Sequence, residues 1–319
     1  MEERLLGGTG LRISALALGT LTWARDTDDQ DAAAMLREFV DGGGTLLDTA
    51  ASYADGGAEE LIGSLLGPVV DRDDVLLCTK AGVRHTNDGR VVDASRGSLL
   101  STLDASLARL GTDHVDIWLV HTPDPRTPLE ETVGALRYAV DSGRTRYVGL
   151  SNHGGWQTAI AASLLEPAHS LAAVEVEYSL LQRGIEREVV PAAQHVGAGV
   201  LAWSPLGRGV LTGKYRRAVP ADSRAASSHL AGFVEPYLGP ASAPVLEAVL
   251  TAADGLGCSP LEVALAWVLA QPQVSAAVVG ARNAVQLRAA LELALELPGA
   301  IEQALDEVSA PAMGYPERR

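Results

Sequence analysis

The sequence predicts an α/β fold of the (β/α)8 type, a TIM barrel with an N-terminal β-hairpin and a long loop after strand seven, forming one domain over residues 1–319. Three observations lead there. Short apolar runs alternate with helical patterns along most of the chain, as expected for parallel strands joined by crossover helices. Eight strand-and-helix units can be counted, the number that closes a barrel. No Gly-x-Gly-x-x-Gly follows a strand, so an open, doubly wound dinucleotide sheet lacks support.

The elements follow in order. Residues 3–13 alternate around Gly7-Gly8 and Thr9-Gly10 as a hairpin, and Ala15–Gly19 is a compact buried strand. Residues 28–40 carry Ala32, Met35, Leu36, Phe39 and Val40 at helical spacing and stop at Asp41-Gly42-Gly43-Gly44. Thr45–Tyr53 reads as a second strand covered on both faces, with Asp48 interrupting its apolar run. A short helix over 59–66 precedes strand three, 74–80. The helix 95–110, strand four (115–121) and the helix 129–141 follow. Strand five is 146–150, then come a helix over 156–164 and strand six, 172–178. A helix over 186–195 leads to strand seven, 199–203, and the last unit pairs the helix 260–270 with strand eight, 275–279. Residues 216–244, rich in Pro, Ala, Ser and Gly, form the long loop. Such loops inside compact domains are usually functional or mobile.

Composition excludes several classes of partner. The chain has 25 Lys and Arg against 40 Asp and Glu, a formal charge of −15, which disfavours nucleic acids and anionic membranes. Any bound anion needs a local basic site. Cys78 and Cys258 form no CxxC, which points to a reducing cytosol. The first residues, Met1–Gly8, lack the order of a secretory signal, and no apolar run reaches the roughly 18 residues of a membrane span. A soluble cytoplasmic protein is expected. His and Cys spacing offers no metal site. Residues 207–214 fail as a P-loop, because Arg208 stands at the first glycine position and Tyr215 replaces Ser or Thr.

The chemistry lies at the ends of successive strands, which in such a barrel converge on one face. Asp48 ends strand two with Tyr53 just beyond it, Lys80 ends strand three, and His121 ends strand four. A Lys ammonium beside a phenol favours the phenolate, and a carboxylate compensates the buried ammonium. Tyr53 is thereby expected to become an acid and base near neutral pH, while His121 can orient a carbonyl oxygen. Singly, each residue has an ordinary structural explanation; together, at the same ends of adjacent strands, they point to a site.

These residues resemble a known family. Leu47-Asp48-Thr49-Ala50 followed by Tyr53, then Thr79-Lys80, then Val120-His121 with Pro123-Asp124, is similar to the tetrad of the aldo-keto reductases, NAD(P)H-dependent (β/α)8-barrel enzymes. Further matches are Gly149-Leu150-Ser151-Asn152, Glu177-Tyr178-Ser179, Trp203-Ser204-Pro205-Leu206-Gly207-Arg208-Gly209 and Gly280-Ala281-Arg282. The resemblance implies that Tyr53 protonates a carbonyl oxygen as hydride arrives from the nicotinamide, that Asp48 and Lys80 tune it, and that His121 positions the substrate. It implies that Ser151 and Asn152 bond the nicotinamide carboxamide and that Trp203 stacks on the ring. Ser204, Leu206 and Gly207 would lie along the pyrophosphate, with Pro205, Arg208, Gly209, Lys214, Gly280 and Ala281 in the same groove. Arg282 would meet the 2′-phosphate of NADP, helped by Gln286 or Arg288. NADPH is therefore expected over NADH. Trp23 and Arg84 are expected to border the substrate.

Two departures stand out. The family usually has Gln on strand six facing the carboxamide, where this chain has Glu175; the carboxylate is expected to alter the preference between oxidised and reduced cofactor. Ala289 and Ala290 replace a Glu-Asn pair that touches the adenine. The leading reading is reduction of an aldehyde or ketone by NADPH. A nicotinamide-binding regulatory subunit resembling potassium-channel β subunits is the alternative, and an unrelated barrel isomerase a third. Oligomeric state is not legible.

Overall fold

The computed structural model describes residues 1–86, 89–221, 223–312 and 314. Eight parallel strands close into a ring in chain order: β1 (Leu16–Gly19), β2 (Leu46–Asp48), β3 (Leu76–Ala81), β4 (Val115–Val120), β5 (Thr145–Ser151), β6 (Leu171–Glu177), β7 (Gly199–Trp203) and β8 (Val274–Val279). β8 returns to β1 through Val278 opposite Ala17. Each strand is a near-continuous apolar run because both its faces are covered.

Side-chain alternation sorts those runs into two cores. Inward residues such as Ala17, Leu46, Ile117, Leu119, Leu201 and Ala276 fill the barrel. Outward residues pack against the surrounding helices, with Leu36, Phe39, Leu103 and Leu136 fully buried between the layers. The hairpin of Glu3–Leu5 and Arg12–Ser14 closes the amino-terminal end, and its Leu6 and Ile13 belong to the inner core. Because Asp48 is in register with Cys78 and Lys80 with Leu119, Asp48, Cys78 and Lys80 all point inward, as does Glu175 opposite Leu201. The uppermost layer of the barrel is thus charged.

Several elements differ from the sequence expectations. β2 is shorter than the Thr45–Tyr53 run: it stops at Asp48, the end expected for it, and Tyr53 beyond it opens a 3-10 turn. Ala54, Asp55 and Gly56, at φ 48°, 55° and 98°, reverse the chain there. A second hairpin, Val83–Thr86 with Gly89–Val92, follows β3. The long loop holds the short helix Ala231–Val234, whose Val234 packs with Val210 and Tyr237 as a separate small core. It leads into two helices, Ala243–Leu256 and Pro260–Ala270, before β8. Among the described residues no single helix is long and apolar enough to cross a membrane, and Pro240–Leu256 with Pro260–Ala270 would suffice only as a pair bent by 104°.

Candidate active site

The tetrad residues meet at the carboxyl end of the barrel. Lys80 Nζ donates to Asp48 Oδ1 at 2.5 Å and to the Thr49 carbonyl at 2.9 Å, and its side chain is wholly buried. A second carboxylate joins it: Glu175 Oε2 lies 3.2 Å from the same ammonium. Tyr53 stands above, with Nζ 5.5 Å from its ring centroid, and His121 meets the phenol ring edge-on at 6.0 Å. Ser52 Oγ lies 3.4 Å from His121 Nδ1. Carboxylate oxygens of Asp48 and Glu175 lie within 4.8 Å of each other and of Cys78 Sγ. Lys80 already provides the cation for that cluster.

Burial governs the protonation states. It pushes the Tyr53 hydroxyl well above its ordinary value; Lys80 pulls the other way, while Asp48 and Glu175 add to the rise. The phenol is therefore a firmly protonated acid, and the lowering by Lys80 expected from sequence is outweighed. Burial, and then Asp48, lift Glu175 to about 8 against the pull of Lys80, so this carboxyl holds a proton at neutral pH. Lys80 remains charged, because the ionised Asp48 in direct contact with its ammonium opposes the desolvation of the site. Burial and the charges of Lys80, Arg90 and His85 lower His121 to about 3, which keeps the imidazole neutral.

Above the tetrad opens a cleft of about 360 Å³, lined by Tyr53, His121, Asn152, Glu175 and Trp203 among others. A second cavity of about 250 Å³ shares Leu206, Gly209, Arg224, Val279 and Gly280 with it and extends to Lys214, Arg282 and Gln286. The two form one groove. Ser151, Ser204 and Pro205 also line the cleft, and Ala281 the second cavity. Asn152 binds three strand ends together: its Nδ2 donates to the His121 carbonyl and to Ser151 Oγ, and its Oδ1 accepts from Trp203 Nε1 at 3.1 Å. Among the described residues, every non-glycine with positive φ (Ala24, Ala54, Asp55, Asn152, Ser204, Arg208) lies in a loop at this face. Strained backbone of this kind clusters at functional sites.

The groove fits a phosphate-bearing nicotinamide cofactor. Arg224, drawn down by burial and by the charge of Arg282, presents a buried Nε with no partner, and such a group needs an acceptor. Lys214 and Arg282 line the same cavity, whereas Ala289 offers only a methyl group and Ala290 is buried. Gly207, at φ 54°, packs against Leu181 behind the cleft. Arg208 lines the cleft, but its guanidinium forms a bidentate pair with Glu177 at 2.7 and 2.5 Å and lies over the rings of Phe233, Tyr237 and Trp203.

Three sequence expectations need correction. Trp23 is fully buried in the outer core, where its large apolar surface is removed from water, and Leu21 and Thr22 line the cleft in its stead. Arg84 is exposed on the second hairpin. Strand parity explains this: adjacent Arg84 and His85 face opposite ways, while His85 pairs with Arg90 on one face, and Arg90 is the residue that lines the cleft. Arg288 forms a bidentate pair with Glu38 at 2.8 Å and does not join the second cavity. Sequence reasoning missed Arg90, Arg224 and Phe233. Phe233, from the long loop, stacks on Trp203 at 6.1 Å. For Arg224 and Phe233, a basic and an aromatic residue in a Pro- and Ser-rich loop are the available signal; for Arg90 it is the strand-like alternation of the hairpin.

Fold and site together define a class: a (β/α)8-barrel enzyme with acid–base groups at one end of a groove and cations at the other. The chain belongs to the Aldo/keto reductase family, whose model matches residues 15–309; members of this family are NAD(P)H-dependent oxidoreductases. Among relatives, the uncharacterized oxidoreductase YrpG of Bacillus subtilis is 36% identical over 310 residues, 93% of each chain. The L-glyceraldehyde 3-phosphate reductase of Escherichia coli O157:H7 is 36% identical over 296 residues, covering 90% of this chain and 86% of its own. A probable voltage-gated potassium channel subunit beta of Oryza sativa subsp. japonica is 32% identical over 326 residues, covering 100% of this chain and 98% of its own.

Proposed function

We propose that this chain reduces an aldehyde or ketone to the alcohol with NADPH, Tyr53 serving as the proton donor. The observation that carries the reading is the buried Lys80 ammonium, held by Asp48 and Glu175 beneath a protonated phenol that faces the cleft. The bound cofactor supplies the hydride to the carbonyl carbon. Tyr53 gives its proton to the carbonyl oxygen, and Lys80 stabilises the phenolate left behind until solvent restores the proton. Neutral His121 holds the oxygen in place as a hydrogen-bond partner. Glu175, which lines the cleft, would adjust the balance between oxidised and reduced cofactor. The second cavity's cations, Lys214, Arg224 and Arg282, favour the 2′-phosphate of NADPH over NADH. The enzyme acts in the cytoplasm on a small carbonyl compound, without a nucleic-acid or membrane partner.

The test is to mix purified protein with NADPH or NADH and a panel of aldehydes and ketones and follow loss of the reduced nicotinamide. The names of the Escherichia coli relatives put glyceraldehyde 3-phosphate on that panel. Turnover with NADPH preferred supports the reading; equal turnover with NADH removes the cofactor assignment. The likeness to channel subunits beta over the whole chain favours a second reading, a nicotinamide-binding subunit. Tight NADPH binding without turnover of any carbonyl is its signature.

A further inference from the structure

The second hairpin brings a cation to the substrate end of the cleft. Its strands pair His85 with Arg90, so both side chains share one face. His85 Nδ1 lies 3.4 Å from Asp55 Oδ1, which seats that face on the turn carrying Tyr53. Arg90 lines the cleft together with Tyr53, His121 and Thr122, close enough for its charge to act on the His121 ring.

Other cleft arginines are engaged. Arg208 is bound to Glu177, and Arg224 donates to the Gly280 carbonyl at 3.0 Å. The Arg90 guanidinium, by contrast, has no hydrogen bond or ion pair among the described residues. In a chain of formal charge −15, a diffusing anion is repelled overall and is captured only where a local cation faces it. A guanidinium also matches phosphate and carboxylate oxygens in a bidentate geometry.

We propose that Arg90, on the hairpin face shared with His85, forms an anion subsite beside the Tyr53–His121 pair, so that the substrate is an aldehyde or ketone bearing a phosphate or carboxylate on its carbon chain. The proposal rests on the reductase reading for its reaction, though not for the binding itself. The carbonyl oxygen meets Tyr53 and His121 while the anionic end of the same molecule meets Arg90. Arg90 thereby determines which carbonyl compounds are taken, and the proton transfer remains with Tyr53.

The experiment compares glyceraldehyde, glyceraldehyde 3-phosphate and succinic semialdehyde as substrates with NADPH, in wild type, Arg90→Gln and Arg90→Lys. Wild type should favour one of the two anionic substrates over glyceraldehyde by about tenfold or more in kcat/KM, and that ratio should fall about tenfold in Arg90→Gln, mainly through KM. Arg90→Lys should restore part of the ratio, and added salt should shrink it in wild type. Whichever of the phosphate and carboxylate arms shows the larger ratio identifies the anion. A wild-type ratio near one, or a ratio unmoved by Arg90→Gln, overturns the subsite. Calorimetric binding of glycerol 3-phosphate to the NADP-loaded protein gives an arm free of turnover. Binding weakened about tenfold by Arg90→Gln supports a phosphate subsite even if no carbonyl is reduced. Equal weak binding to both forms, with no ratio for succinic semialdehyde, overturns it.

Discussion

Replacing Glu175 by Gln removes one of two carboxyl groups buried around a single ammonium, with little change of shape. With Asp48, Glu175 and Lys80 all ionised, the top of the barrel would carry a net negative charge in an apolar interior, which is costly. Retaining a proton on Glu175 leaves a neutral Asp48–Lys80 pair. The folded chain therefore holds this proton up to about pH 8, against an ordinary value of 4.5. The sign follows from that order: the group's contribution to stability is complete below pH 4.5 and is lost as pH rises through 8. Within that window the loss is about 1.4 kcal/mol per pH unit. Between pH 5.5 and 7.5 it amounts to about 3 kcal/mol at most, a melting shift on the order of 5 °C for a chain this long. Gln does not titrate, so Glu175→Gln should gain on wild type as pH rises. Subtracting the two melting curves isolates the carboxyl from the histidines, which titrate in both proteins. Parallel Tm-against-pH curves, or a gap that widens toward low pH, would refute the reasoning.

Further outcomes follow from the same geometry. His121, lowered to about 3, should contribute no inflection near pH 6.5 to kcat/KM; an inflection there that His121→Gln abolishes would contradict its neutrality. A Cβ at Gly149 would meet the Ala173 carbonyl oxygen at 2.3 Å and Leu119 Cδ2 at 2.7 Å, so Gly149→Ala should lower stability by about 3 kcal/mol in urea unfolding. Arg208→Ala removes the ties to Glu177, Phe233 and Tyr237, so limited proteolysis within residues 216–244 should quicken by about tenfold; unchanged cleavage there would show that the loop is held otherwise.

Local patterns made the barrel legible. The helix Leu129–Asp141 and the strand Gly199–Trp203 fall where periodicity predicts them, because each is long or apolar enough for burial alone to fix it. Tyr53 stands beyond the strand end at Asp48, as its spacing suggests, but the three consecutive left-handed residues that turn the chain immediately after it have no clear signal in the sequence. The second hairpin alternates as Val83-Arg84-His85-Thr86 and Gly89-Arg90-Val91-Val92, so Arg90 and not Arg84 faces the cleft, but the pairing that sets this parity is not visible without the hairpin's register. Contacts across the barrel leave no local trace. Glu175 meets Lys80 only because β3 and β6 face each other across a closed interior, so the second carboxylate on the ammonium could not be read from spacing. The direction of the Tyr53 shift was hidden for the same reason, since it depends on how completely the ring is enclosed and not on which residues adjoin it in sequence.

The central claim is that Tyr53, over the Lys80 ammonium, gives the proton that completes carbonyl reduction. Tyr53→Phe tests it most directly, because the ring that packs against His121 is kept and only the hydroxyl is lost. NADPH affinity and carbonyl turnover should be measured on the same preparation, using a carbonyl that wild type reduces. Affinity should stay within about threefold of wild type while kcat falls by about 10²–10⁴-fold. Equal kcat in the two proteins would contradict the claim.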